Sequence, residues 1–170
     1  MDALERLIEA FGSRGKRDHS AWKLDVLMDI GRVDDPRVIA FFIAVVVDPD
    51  EPTDVRLDAL GRLREAALQP DERILVADAT QQALGRPTDD LLRLHAALVL
   101  GDFTDLPGVL DALGALASEP DESIELRYNA FTSLQRAGPT RQCLDILQAL
   151  SSDETLGQSS CALLASWGAR

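Results

Sequence analysis

Five ten-residue segments of this chain can be laid over one another without an internal gap. They are 22–31 (WKLDVLMDIG), 55–64 (VRLDALGRLR), 92–101 (LRLHAALVLG), 126–135 (LRYNAFTSLQ) and, with weaker similarity, 157–166 (GQSSCALLAS). Their first residues lie 33, 37, 34 and 31 positions apart. A drifting recurrence in the thirties fits stacked helix pairs, whereas a coiled coil would repeat by heptads. Within each segment apolar residues gather at positions 1, 5, 6 and 9, as with Val55, Ala59, Leu60 and Leu63, or Leu92, Ala96, Ala97 and Leu100. That spacing makes one helical stripe. Small residues at position 5 (Val26, Ala59, Ala96, Ala130, Cys161) let neighbouring helices approach closely.

A second helical stretch and an acidic or proline-containing loop precede each segment. Examples are 48–54 (DPDEPTD), 69–72 (QPDE), 86–90 (RPTDD) and 119–122 (EPDE). Proline and aspartate ahead of a helical run are start signals, because the carboxylate caps free N–H groups and suits the helix N-terminus. The spacing therefore predicts an all-α chain, one domain over 1–170, in five helix pairs at about 2–31, 36–66, 71–101, 105–137 and 139–168. The β-branched run 38–47 (VIAFFIAVVV) also suits a buried strand, but its place in the repeat favours a helix.

The motif Val55-Arg56-x-x-Ala59-Leu60-x-x-Leu63 and its near copy Leu92-Arg93-x-x-Ala96-Ala97-x-x-Leu100-Gly101 resemble the second helix of a HEAT repeat. The likeness is greatest to the short bacterial HEAT-like repeats also found in phycobilin lyases. It extends over nearly the whole chain, except that Gly157 and Gln158 replace the apolar–Arg start in the last copy. The resemblance implies an armadillo-like, right-handed α–α superhelix, with first helices on the convex side and second helices lining the concave side. The family holds scaffolds, transport receptors, lyase subunits and a DNA glycosylase branch, so it speaks to fold more than to function.

Charge narrows the function. Lys and Arg number 17 against 29 Asp and Glu, a formal charge of −12. Phosphate backbones and anionic membranes repel such a surface. Much of the acidity is expected to be capping chemistry. The start of the chain, MDALER, lacks the basic-then-apolar pattern of a secretion signal, and the apolar run 38–47 is too short to span a bilayer. Cys143 and Cys161 form no CxxC and are expected to be reduced, mostly buried thiols in a cytoplasmic protein.

Two columns stand out. Position 2 carries Lys23, Arg56, Arg93 and Arg127, readable as an anion-binding row or as a structural ladder between repeats; one basic residue per repeat beside acidic turns favours the ladder. Positions 3, 4 and 7 lie off the core stripe and include Leu57, Asp58, Leu94, His95, Leu98, Tyr128 and Asn129. An apolar row edged by polar groups would suit another protein, basic or helical. The alternative is that the leucines pack against the first helix of the next repeat.

Catalytic patterns are missing. His19 and His95 are the only histidines, without HExxH, and the loop 48–54 lacks the EF-hand glycine and closing Glu. The stretch 12–17 (GSRGKR) lacks P-loop spacing. The expectation is a non-catalytic, protein-binding scaffold or adaptor without cofactor or metal. A phycobilin-lyase-like subunit or chaperone is the alternative, and a HEAT-like nucleic-acid enzyme fits the charge less well.

Overall fold

The computed structural model describes residues 1–13, 20–85 and 88–168. The basic stretch at 14–17 and His19 lie outside them, as do Arg86 and Pro87. Among the described residues there are ten α-helices and no strand. They are α1 (Ala3–Gly12), α2 (Ser20–Ile30), α3 (Arg37–Val47), α4 (Thr53–Glu65), α5 (Pro70–Leu84), α6 (Asp90–Val99), α7 (Val109–Ser118), α8 (Ile124–Ala137), α9 (Arg141–Leu150) and α10 (Gly157–Ser166). A 3-10 helix (Leu100–Phe103) follows α6.

The helices begin where the polar loops provide acceptors. The Asp2 side chain accepts from Glu5 N–H while Glu5 returns a bond to the Asp2 N–H. Ser123 Oγ accepts from Leu126 N at 3.2 Å and Thr140 Oγ1 from Cys143 N at 3.2 Å. Asp89 Oδ1 accepts from Leu91 N at 2.9 Å, and Asp153 Oδ1 takes both Thr155 N and Leu156 N. These bonds satisfy N–H groups that have no partner inside the helix. They hold the Asp153 carboxyl below its ordinary range, the Leu156 N–H most of all, with Arg127 adding to the effect. The run 38–47 is helical despite its β-branched residues; α3 buries Val38, Phe42, Val45 and Val46 on one stripe.

The chain forms two compact units, Met1–Leu92 and Arg93–Arg170. In the first, α1 packs on α2, α2 on α4, and α3 on both α4 and α5. Its core includes Leu4, Leu27, Ile30, Phe42, Val46, Val55, Leu60, Leu63 and Val76. In the second, α7 packs on α8 and α9, α9 on α10, and the 3-10 helix on α7 and α8. Leu100, Leu113, Leu134, Leu147 and Leu150 fill that core. Within the second unit the ladder is knitted by polar side chains of α8 reaching carbonyls near the end of α6. Asn129 Nδ2 donates to Leu94 O (3.0 Å), Ser133 Oγ to Ala97 O (2.7 Å) and Arg136 Nη1 to Leu98 O (2.8 Å). A Cβ at Gly101 would stand 2.6 Å from Arg136 Nη1 and 2.8 Å from Ser133 Oγ, so glycine permits the approach.

Three expectations need adjustment. Helix α7 starts at Val109 rather than 105, because Gly108 turns the chain with φ of 81°. Helix α10, the second helix of the pair expected at 139–168, spans Gly157–Ser166 and buries Gly157, Ser160 and Leu164, so the last copy is in a different register from the others. Cys161, expected to be buried, is consequently exposed, whereas Cys143 is buried and its thiol is pushed up to about 11 by desolvation.

The burial pattern separates two residues of α8 that composition alone would treat alike. Leu134 is fully buried and Ile124 is 56% exposed. Leu134→Ala should cost about 2–5 kcal/mol in urea unfolding, and Ile124→Ala should stay within about 0.5 kcal/mol of wild type.

Candidate functional site

The second helices of the repeat, α2, α4, α6 and α8, carry the basic column inward. Lys23, Arg56, Arg93 and Arg127 are at most 7% exposed. Each sits one residue after the first residue of the core stripe. Lys23 Nζ donates to both carboxylate oxygens of Glu51, at 2.8 and 2.6 Å, and lies 4.3 Å from the centroid of the Phe11 ring. Phe11 in turn meets Phe41 edge-on, with centroids 5.3 Å apart. Arg93 forms a fork on Glu122, Nη1 to Oε2 at 2.9 Å and Nη2 to Oε1 at 2.5 Å. Arg127 Nη2 reaches Asp153 Oδ2 at 2.5 Å. The three acids lie 28, 29 and 26 residues after their basic partners, in loops that lead into α4, α8 and α10.

Arginines of the column also reach carbonyls of the preceding helix. Arg56 Nε donates to Val46 O and Arg127 Nε to Ala117 O, both at 2.8 Å and both ten residues back. Val46 and Ala117 lie in the last turns of α3 and α7, where carbonyls have no partner inside the helix. One side chain thereby ties the end of a first helix to the second helix of its pair. Burial lowers the Arg56 pKa, opposed by the nearby charges of Asp48 and Asp89.

Residues of the second column are placed differently. In the first unit, Leu57 and Asp58 are half-buried, and Asp58 Oδ2 accepts from Arg62 Nε at 2.5 Å. In the second, Leu94, Leu98 and Asn129 are half-buried, while His95 and Tyr128 are exposed. The structure brings Asn129 and Leu94 together through the amide bond described above. Asp58 and Asn129, the expected polar edges, are thus already engaged within the chain. Other large apolar side chains reach solvent outside the column: Ile74 and Leu75 on α5, Leu91 on α6 and Ile124 on α8 are about half exposed. The recurrence did not single these out because they fall outside the aligned columns or at helix starts.

A cavity of about 570 Å³ in the first unit lies where the turn after α2 meets α3 and the end of α4. Its lining includes Asp34, Asp35, Phe42, Arg62 and Glu72. Asp35, held by the Arg37 guanidinium, titrates at about 2. Among the described residues no group of three His, Cys, Asp or Glu side chains is arranged to hold a metal ion. Nor is any described helix long and apolar enough to cross a membrane. No family model matches the chain, and no curated protein matches it in sequence.

The Lys23–Glu51 pair is buried on both sides, so removing one partner strands a charge. Lys23→Met should destabilise the protein by about 3–5 kcal/mol, and Lys23→Met combined with Glu51→Leu should restore most of that loss. Urea unfolding of the three variants checks this; a Lys23→Met protein as stable as wild type would show that the pair bears no stress.

Proposed function

We propose that the chain is a HEAT-like α–α solenoid of about five helix pairs that acts as a protein-binding scaffold or adaptor rather than as an enzyme. The single observation that carries the reading is the division of labour along the second helices. Positions 1, 5, 6 and 9 of α4 and α8 are buried, the position-2 basic residues are turned inward onto acids or carbonyls, and the exposed remainder includes His95 and Tyr128 beside half-buried Leu94 and Leu98. Burial withdraws the four column cations from any phosphate-binding row, and the −12 charge works in the same direction. In a superhelix of the kind the resemblance implies, the exposed positions face the concave side, where solenoids present extended binding surfaces.

The partner this surface suits is another protein with a basic or helical segment. In the second unit Leu94 and Leu98 contribute partly covered apolar area and Tyr128 an exposed aromatic ring, and in the first unit Leu57 is likewise half-buried; the excess of acids attracts positive charge. Tyr128 is the anchor in this reading, since aromatic side chains at an interface carry a large share of its energy. The reading needs no cofactor or metal, and it has the protein working in the cytoplasm.

Tyr128 is 40% exposed, so a charge there should be tolerated by the fold. Tyr128→Asp should melt within a degree or so of wild type and lose the partner that wild type captures, because an unpaired charge would face an apolar surface. Side-by-side affinity capture quantified by mass spectrometry, with thermal melts of both proteins, tests this. Equal capture by the two proteins would remove the strip from the binding surface.

A further inference from the structure

The basic column has one member without a carboxylate. Glu51 and Glu122 each stand two residues before a second helix, α4 and α8, and meet Lys23 and Arg93. The corresponding place before α6, which starts at Asp90, is Thr88. Arg56, whose turn it would be to receive an acid there, is 7% exposed. Its Nε is taken by Val46 O, and among the described residues its two Nη groups have no hydrogen-bond acceptor. Arg56 lines a cavity of about 320 Å³ together with Pro49, Glu51, Thr53, Thr88 and Asp89.

The neighbouring acids are already engaged. Both Glu51 oxygens accept from Lys23. Asp89 Oδ1 caps α6 through Leu91 N, and Asp48 Oδ1 accepts from Asp50 N at 2.9 Å. A guanidinium whose Nη groups are bonded to no protein acceptor keeps its fork open to an oxyanion that fits it.

We propose that this cavity is a carboxylate site, in which Arg56 takes from outside the chain the group that Lys23, Arg93 and Arg127 take from within it. The geometry of the filled position is on display at Arg93, whose two Nη groups each hold one oxygen of Glu122. Thr53 and Thr88 border the cavity with hydroxyls that can donate to the remaining lone pairs. A singly charged carboxylate is favoured over phosphate because Glu51 and Asp89 line the same cavity, and their repulsion grows with ligand charge. The carboxylate is either that of a free small acid or that of an acidic side chain or C-terminus on a partner protein. This site does not depend on the exposed strip of the second helices.

The test uses the full chain and the Arg Nε–Hε resonances in nitrogen-15 NMR, with the Arg56 signal assigned from the Arg56→Lys spectrum. Sodium acetate should move the Arg56 signal saturably and sodium chloride at equal ionic strength should not, while Arg127, already paired, stays in place. A glutamate-containing peptide forms the second arm: saturation at lower concentration than acetate identifies a protein carboxylate, and saturation by acetate alone identifies a small acid. Thr88→Glu supplies the missing acid internally, so it should abolish the acetate response and raise the melting temperature by about 2–4 °C. An Arg56 signal indifferent to acetate and peptide, a stronger response to inorganic phosphate, or an undiminished response in folded Thr88→Glu would each overturn the proposal. Because the wild-type titration stands alone, a Thr88→Glu chain that fails to fold does not rescue it.

Discussion

A positive charge held inside a helical layer is the constraint around which much of this structure is arranged. Lys23, Arg93 and Arg127 are nearly inaccessible, and each ends on a carboxylate that approaches from a loop ahead of a later helix. Placing an ammonium or guanidinium there is tolerable only when the opposing charge and the hydrogen bonds are supplied together. That requirement fixes the acidic loops as firmly as it fixes the basic residues. In the loop 119–122, which looks like a simple capping sequence, Glu122 serves Arg93 while Ser123 caps α8. The bonds of Arg56 and Arg127 to the carbonyls of Val46 and Ala117 make column side chains fasteners between α3 and α4 and between α7 and α8.

Close helix approach is the other half of the design. Alanine and glycine occupy the stripe where helices meet, with Ala59, Ala96 and Ala130 fully buried. With aromatic residues at only 5% of the chain, the core is built from aliphatic side chains and short distances. Short distances bring backbone carbonyls within reach of a neighbouring helix, and α8 uses this through Asn129, Ser133 and Arg136. In the first unit a Cβ at Gly31 would stand 2.8 Å from Arg62 Nη1, so glycine there admits the guanidinium of α4. Polar residues on the inner flank of a helix are thereby structural even though a helical wheel assigns them to the outside.

Periodicity carried the helical class and the core stripe because four copies obey the same spacing; Leu60, Leu63, Leu100 and Leu134 are buried where the stripe puts them. The basic column was visible for the same reason. Its partners were not, since the loops hold many acids and only the folded chain selects Glu51, Glu122 and Asp153. The start of α7 was missed although Pro107-Gly108 marks a turn, because a repeat template was extended over it. The register of α10 was missed because Gly157 and Ser160 are small enough to pack on either face, and the hydroxyl of Ser160 is buried without an acceptor among the described residues. For the outward columns the pattern could say which residues leave the core stripe. It could not say that Asp58 would bind Arg62 or that Asn129 would bind a carbonyl, since both depend on the neighbours a helix acquires on folding.

A buried basic residue and its distant acid must act as a unit if the column is held by paired charges. A double-mutant cycle on Arg93 and Glu122, using Arg93→Met, Glu122→Gln and the combination, measures this directly by urea unfolding. A buried, bidentate pair predicts that the single changes are strongly non-additive, with a coupling of about 1.5–3 kcal/mol favouring the intact pair. Additive changes, with a coupling within about 0.3–0.5 kcal/mol of zero, would contradict it and reduce the column to four independent side chains that happen to be covered.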